Sequence, residues 1–127
     1  VITDLKPFYE SDVRTNRAVK RARALAMAKG IPIDQFIFTQ LALIARESGS
    51  PKHRANVARV LEEATASLVG SPLVIIDPET RDVTIYTVVA AQGTNVVFEG
   101  DDEWFDLADF AFEWRLFDPA VNQLADM

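Results

Sequence analysis

Residues 98–117 bring seven aromatic rings and seven carboxylates into one short stretch. The rings are Phe98, Trp104, Phe105, Phe110, Phe112, Trp114 and Phe117, out of twelve in the chain. Interleaved with them are Glu99, Asp101, Asp102, Glu103, Asp106, Asp109 and Glu113. Large rings anchor protein interfaces and clustered charge steers association, so this composition points to a surface for a basic protein partner. The residues expected to carry it are Asp101, Asp102, Glu103, Trp104, Asp106, Asp109 and Glu113. Close carboxylates also serve acid–base catalysis or oxygen ligation of Mg²⁺ or Ca²⁺. The alternating spacing and glycine of a calcium loop are missing here, however. Any acidic helix face offers paired carboxylates without a catalytic purpose.

A second group is cationic. Arg14, Arg17, Lys20 and Arg21, with Arg23 nearby, lie in a segment without an acid from Val13 to Ile33. Each side chain can neutralise a phosphate, which makes this the alternative, nucleic-acid-binding face. The chain's net charge of −6 opposes that use. The charge is also divided. Residues 1–69 carry 11 cations against 7 acids, or +4, whereas residues 70–127 carry 2 against 12, or −10. His53 stands between Lys52 and Arg54 at the start of a helix. With no carboxylate or nucleophile beside it in sequence, it reads as a surface histidine.

Other chemistries lack their residues. Without cysteine there is no disulfide, thiolate zinc site or cysteine nucleophile, and one histidine cannot form a His pair for a metal. No phosphate-binding glycine loop, Gly-x-Ser-x-Gly or His-Glu-x-x-His occurs. The expectation is a protein that is not an enzyme and needs no cofactor.

The elements that must position these groups follow from periodicity. A first helix is expected over Phe8–Lys29, with Ala18, Val19, Ala22, Leu25 and Ala26 on one side and the cations roughly opposite. Gly30 ends it and Pro32 prevents continuation. The turn Gly30-Ile31-Pro32 after Ala26 weakly resembles that of a helix-turn-helix. The helix that follows would offer a nucleic acid Asp34, Gln35, Phe36, Ile37 and Phe38, so two packed core helices are the expectation. That second helix, Ile33–Glu47, is apolar around most of its circumference and should be central. Ser50-Pro51 supplies an N-cap and an N1 proline for a third helix ending near Val69, with Val57, Val60, Leu61, Ala64 and Leu68 buried.

The period then changes. Leu73–Ile76, Asp82–Ala90 and Thr94–Phe98 read as strands joined by turns at Asp77–Arg81 and Ala91–Gly93, an antiparallel meander with the second strand central. Segment 103–117 fits a helix, with Asp102, Asp106, Asp109 and Glu113 along one polar face. It also fits a short helix at 102–108 followed by a strand at 109–117. Ala120–Met127 is a short tail.

The expected fold is therefore α+β in a single domain spanning 1–127: three N-terminal helices, a three-stranded antiparallel meander, and a C-terminal aromatic-acidic helix or fourth strand. No run of apolar residues is long enough to span a membrane and no signal peptide is visible, so a cytoplasmic protein is expected. The leading functional expectation is a regulator or inhibitor of phage or bacterial type that binds a basic protein. A nucleic-acid-binding regulator is the alternative and a small carboxylate-based enzyme the third. A homodimer is also expected, because one small meander has too little surface to cover every ring and the second helix.

Overall fold

The computed structural model describes residues 1–120, and the sequence-predicted tail beyond Ala120 lies outside the described residues. Four helices precede five strands: α1 (Lys6–Tyr9), α2 (Val13–Lys29), α3 (Ile33–Glu47), α4 (Pro51–Ser67), β1 (Pro72–Ile76), β2 (Val83–Gln92), β3 (Asn95–Phe98), β4 (Phe105–Asp106) and β5 (Glu113–Leu116). The class is α+β. No helix among the described residues is long and apolar enough to cross a membrane.

The expected first helix is two. Asp12 adopts an extended conformation, and its carboxylate accepts the Thr15 N–H at 3.0 Å and the Thr15 hydroxyl at 2.6 Å. That is an N-cap, and it starts α2 afresh after the short α1. Gly30 ends α2 in the left-handed region at φ 66°, where a side chain is disfavoured. Ser50 caps α4 by accepting the His53 N–H at 3.2 Å.

Helix α3 is the centre of the helical layer and packs on α2, α4 and β5. Ile37, Phe38 and Leu41 are fully buried, while Leu43 reaches solvent, so its apolar surface is largely covered within one chain. Helix α4 buries Val57, Val60, Leu61 and Ala64, and Leu68 follows just beyond its end.

The strands form one antiparallel sheet in the order β4-β3-β2-β1-β5. The meander β1-β2-β3 is present with β2 in the middle. Leu73 and Ile75 of β1 share a face with Tyr86, Thr84, Trp114 and Leu116. On β3, Val96 and Phe98 are buried and join the same core as Leu73, Val88 and Trp114. The opposite face carries Val74, Ile76, Val83 and Ile85. Between Val88 and Ala90 the β2–β3 register slips. Beyond this bulge the pairing ends at Val88–Phe98 and the Glu99 N–H to Thr87 carbonyl bond.

Segment 103–117 is not a helix, and the short helix at 102–108 is absent too. Two local ties explain this. The Asp101 carboxylate accepts the N–H groups of Asp102 and Glu103, and the Asp106 carboxylate accepts the Ala108 N–H and the Thr94 hydroxyl. Such side-chain acceptors hold the backbone in turns and compete with a helical ladder. Further on, β5 supplies the partner that β1 needs on its free side, and the Glu113-Trp114-Arg115-Leu116 alternation sends Trp114 inward. The Trp114 ring is fully buried. It meets Phe38 edge-on at 5.1 Å between centroids and donates from Nε1 to the Leu107 carbonyl at 2.9 Å.

Candidate functional site

Because 103–117 is not helical, the acidic stripe is dispersed. Asp101, Asp102, Glu103 and Asp109 are exposed on loops. Asp106 is partly buried and engaged by Thr94 and Ala108, so it holds the β4 turn. Glu113 on β5 pairs with Arg81 at 3.0 Å, across the sheet from Trp114. Trp104 stands half exposed. Of the seven expected contact residues, only Asp101 lines the concavity described next.

That concavity is a groove of about 330 Å³ on the inner face of the sheet, beyond the part the helices cover. Five rings build it: Tyr86 on β2, Phe98 on β3, Phe105 on β4, and Phe110 and Phe112 in the crossing to β5. They form a chain of contacts. Tyr86–Phe98, Phe98–Phe105, Phe105–Phe110 and Phe110–Phe112 have centroid separations of 5.6, 5.7, 5.8 and 5.7 Å. Those are the separations of favourable tilted and edge-on ring pairs. Ile75 and Thr84 complete the floor, and Asp77, Asp82 and Asp101 stand around it. No ion pair among the described residues engages these three carboxylates.

The groove's shape has identifiable supports. Gln35 on α3 donates from Nε2 to the Phe112 carbonyl at 2.8 Å and accepts the Trp114 N–H at 3.0 Å. Thr39 donates to the Ala108 carbonyl at 2.9 Å. These bonds fix the 108–114 crossing against the helical layer. On the other side, the Asp77 carboxylate accepts the N–H groups of Glu79 and Thr80 and closes the β1–β2 turn, which ends at Arg81 with φ 63°.

Sequence reasoning missed Asp77, Asp82 and Tyr86. The Asp77–Arg81 turn was legible, but a turn does not reveal which face its carboxylates will meet. The one available signal was β2 itself, whose strand pattern is apolar on both faces; the structure leaves its first half exposed.

The remaining ionisable groups with shifted affinities lie in the helical layer. Burial raises the Asp34 carboxyl above its ordinary value of 3.8, opposed by the hydrogen bond it accepts from the Tyr9 hydroxyl at 3.1 Å. Burial and then the Asp34 charge raise Tyr9 as well. The side-chain and backbone hydrogen bonds from Thr15 lower Asp12. His53 is not the expected surface residue. It is 7% exposed, and its Nδ1 has no hydrogen-bond partner among the described residues. Burial and then Arg14 lower its proton affinity. The reason is its place in the first turn of α4, which packs against the start of α2. Arg14, Arg17, Lys20 and Arg21 are all exposed on α2. Among the described residues no cluster of three or more histidine or acidic side chains is placed to hold a metal ion.

Comparison with protein-family models, with curated proteins and with solved structures found no match to this chain.

Proposed function

We propose that this protein is a non-enzymatic regulator or inhibitor that captures a basic protein partner in the ring-lined groove. The observation that carries the reading is the combination of five contiguous rings with three carboxylates, Asp77, Asp82 and Asp101, that form no ion pair among the described residues. Ring faces attract ammonium and guanidinium groups. The aliphatic stems of Lys and Arg lie along apolar surface while their heads stay near water and near carboxylates. The excess charge of −10 over residues 70–127 adds long-range attraction for the same partner and speeds encounter. The proposed contact set is therefore centred on Asp77, Asp82, Tyr86, Asp101 and Phe112, with Asp102, Glu103 and Trp104 on the adjoining loop.

The test is paired capture from host lysate with the wild-type chain and a D82K/D101K variant. A partner retained by the first and lost by the second, with a basic surface and a salt-dependent on-rate, supports the reading. Equal retention by both chains removes it.

A further inference from the structure

We propose that the partner adds an extended basic segment as a new strand along the open edge of β2 at Val83–Tyr86. The inference rests on the partner-binding reading above and specifies its geometry.

The β1–β2 ladder determines which backbone groups are free. Asp77 donates its N–H to the Asp82 carbonyl at 2.9 Å, and Val88 donates to the Ser71 carbonyl at 3.0 Å. In an antiparallel pair the hydrogen-bonding direction alternates with each residue. With the observed register, Asp82, Thr84, Tyr86 and Val88 point their backbone groups towards β1. Val83, Ile85 and Thr87 point theirs the other way. Thr87 bears this out, since its carbonyl accepts the Glu99 N–H at 2.8 Å on that other side. Beyond Thr87 the chain of β3 has departed through Gly100, at φ 85°. Among the described residues no strand pairs with Val83 or Ile85 on this side. Their N–H and C=O groups form an open edge, and Val83, Thr84, Ile85 and Tyr86 are all exposed.

Open edges invite strand addition, and proteins commonly blunt them with lysine, proline or a covering loop. Among the described residues this edge has none of these. The groove beside it is lined instead by Asp82, Asp77 and Asp101. A second copy carries the same net charge of −6 and the same acidic groove rim, so like-charge repulsion disfavours it. A strand rich in lysine or arginine is favoured. Strand addition draws affinity from the main chain and specificity from pockets for alternate side chains. Both are present. Partner residues on the inner side extend over Thr84 and Tyr86 into the acid-rimmed rings, where cationic side chains fit. Residues on the outer side lie beside Val83 and Ile85, 62% and 51% exposed, where aliphatic side chains fit.

The probe is a blocked eight-residue peptide alternating lysine with valine, and the readout is amide hydrogen exchange of the full chain by NMR. On saturation, the Val83 and Ile85 amides slow at least about tenfold, the effect of a typical backbone hydrogen bond, while Thr84 and Tyr86, already bonded to β1, change little. A peptide alternating glutamate with valine gives no protection. Ile85→Pro removes an edge donor without touching the β1 ladder and weakens the lysine peptide about tenfold. Should that variant fail to fold, N-methylation of alternate peptide amides gives the same answer, with loss for one parity only. Charge-dependent binding with unprotected Val83 and Ile85 overturns strand addition and leaves the partner-binding reading standing. No binding of the lysine peptide overturns strand addition as well, and the lysate capture then decides the broader reading alone. Protection of Val83 and Ile85 that grows with protein concentration in the absence of peptide assigns the edge to a second copy and overturns the basic occupant.

Discussion

The side-chain carbonyl of Gln35 accepts the backbone N–H of Trp114 at 3.0 Å, across 79 residues of sequence. The same side chain donates to the Phe112 carbonyl at 2.8 Å, so one amide on α3 satisfies two backbone groups at the entry to β5. Gln35→Leu keeps the size and removes both bonds. Water can reach the Phe112 carbonyl, so the cost falls on the part-buried Trp114 N–H, and an unsatisfied buried group costs about 1–3 kcal/mol. The expected result is a fall in unfolding free energy of about 2 kcal/mol in urea melts, together with weaker partner binding as Phe110 and Phe112 lose their support. Unchanged stability would show that water replaces the amide and that α3 does not hold the crossing.

Trp114 is the second support. Trp114→Phe keeps the contact with Phe38 but leaves the Leu107 carbonyl without its donor, and is expected to cost about 1–3 kcal/mol. Trp114→Ala also opens a cavity and is expected to cost about 3–5 kcal/mol, a large fraction of the roughly 5–15 kcal/mol that holds a domain folded. Fluorescence offers a direct check, because Trp104 is half exposed and Trp114 fully buried. A Trp104→Phe variant should emit at short wavelength until unfolding. Emission typical of solvated indole would place Trp114 outside the core.

What was legible in the sequence is what periodicity encodes. The buried stripe of α4, the Gly30 stop, the Ser50 cap and the three-strand meander each depend on residues close in the chain. Segment 103–117 is not the expected helix because two aspartates chose the backbone as their partner. Asp102, Asp106, Asp109 and Glu113 fit an acidic helix face by spacing, and only the acceptance of nearby N–H groups by Asp101 and Asp106 turns the chain instead. The groove was illegible for a different reason. It joins Asp77 and Tyr86 to Phe105 and Phe110 through sheet register, which no local pattern specifies. The ring excess that suggested a dimer partly resolves within one chain, since Trp114 enters the core and five rings gather in the groove.

Asp34 gives a pH signature. Its folded-state affinity for a proton is raised, chiefly by burial, so the unfolded chain ionises first as pH rises through 3.8. The unfolded state then binds fewer protons than the native one, and stability falls with pH until the folded carboxyl also ionises. Asp34→Asn keeps an acceptor for the Tyr9 hydroxyl and cannot ionise. It is expected to be more stable than wild type at pH 7, with the gap closing as pH falls to the ordinary carboxyl value. Thermal melts of both chains from acid to neutral pH measure this. A variant less stable at pH 7 would mean that the charged carboxylate, favoured by the N-terminus of α3, outweighs the cost of burial.

The basic face of α2 is expected to be a weak nucleic-acid ligand. Arg14, Arg17, Lys20 and Arg21 are exposed and offer about four phosphate contacts, and each contributes a slope near −0.9 to the logarithm of affinity against the logarithm of salt. Four such contacts lose about a hundredfold between 50 and 200 mM salt, starting from the modest affinity of non-specific binding. The net charge of −6 adds repulsion at long range. Fluorescence anisotropy with a labelled random duplex and the corresponding single strand should therefore show binding at low salt only, with a shallow slope. Tight binding near 150 mM salt that R14E/R17E/R21E abolishes would make α2 the working surface and turn the acidic groove into a secondary feature.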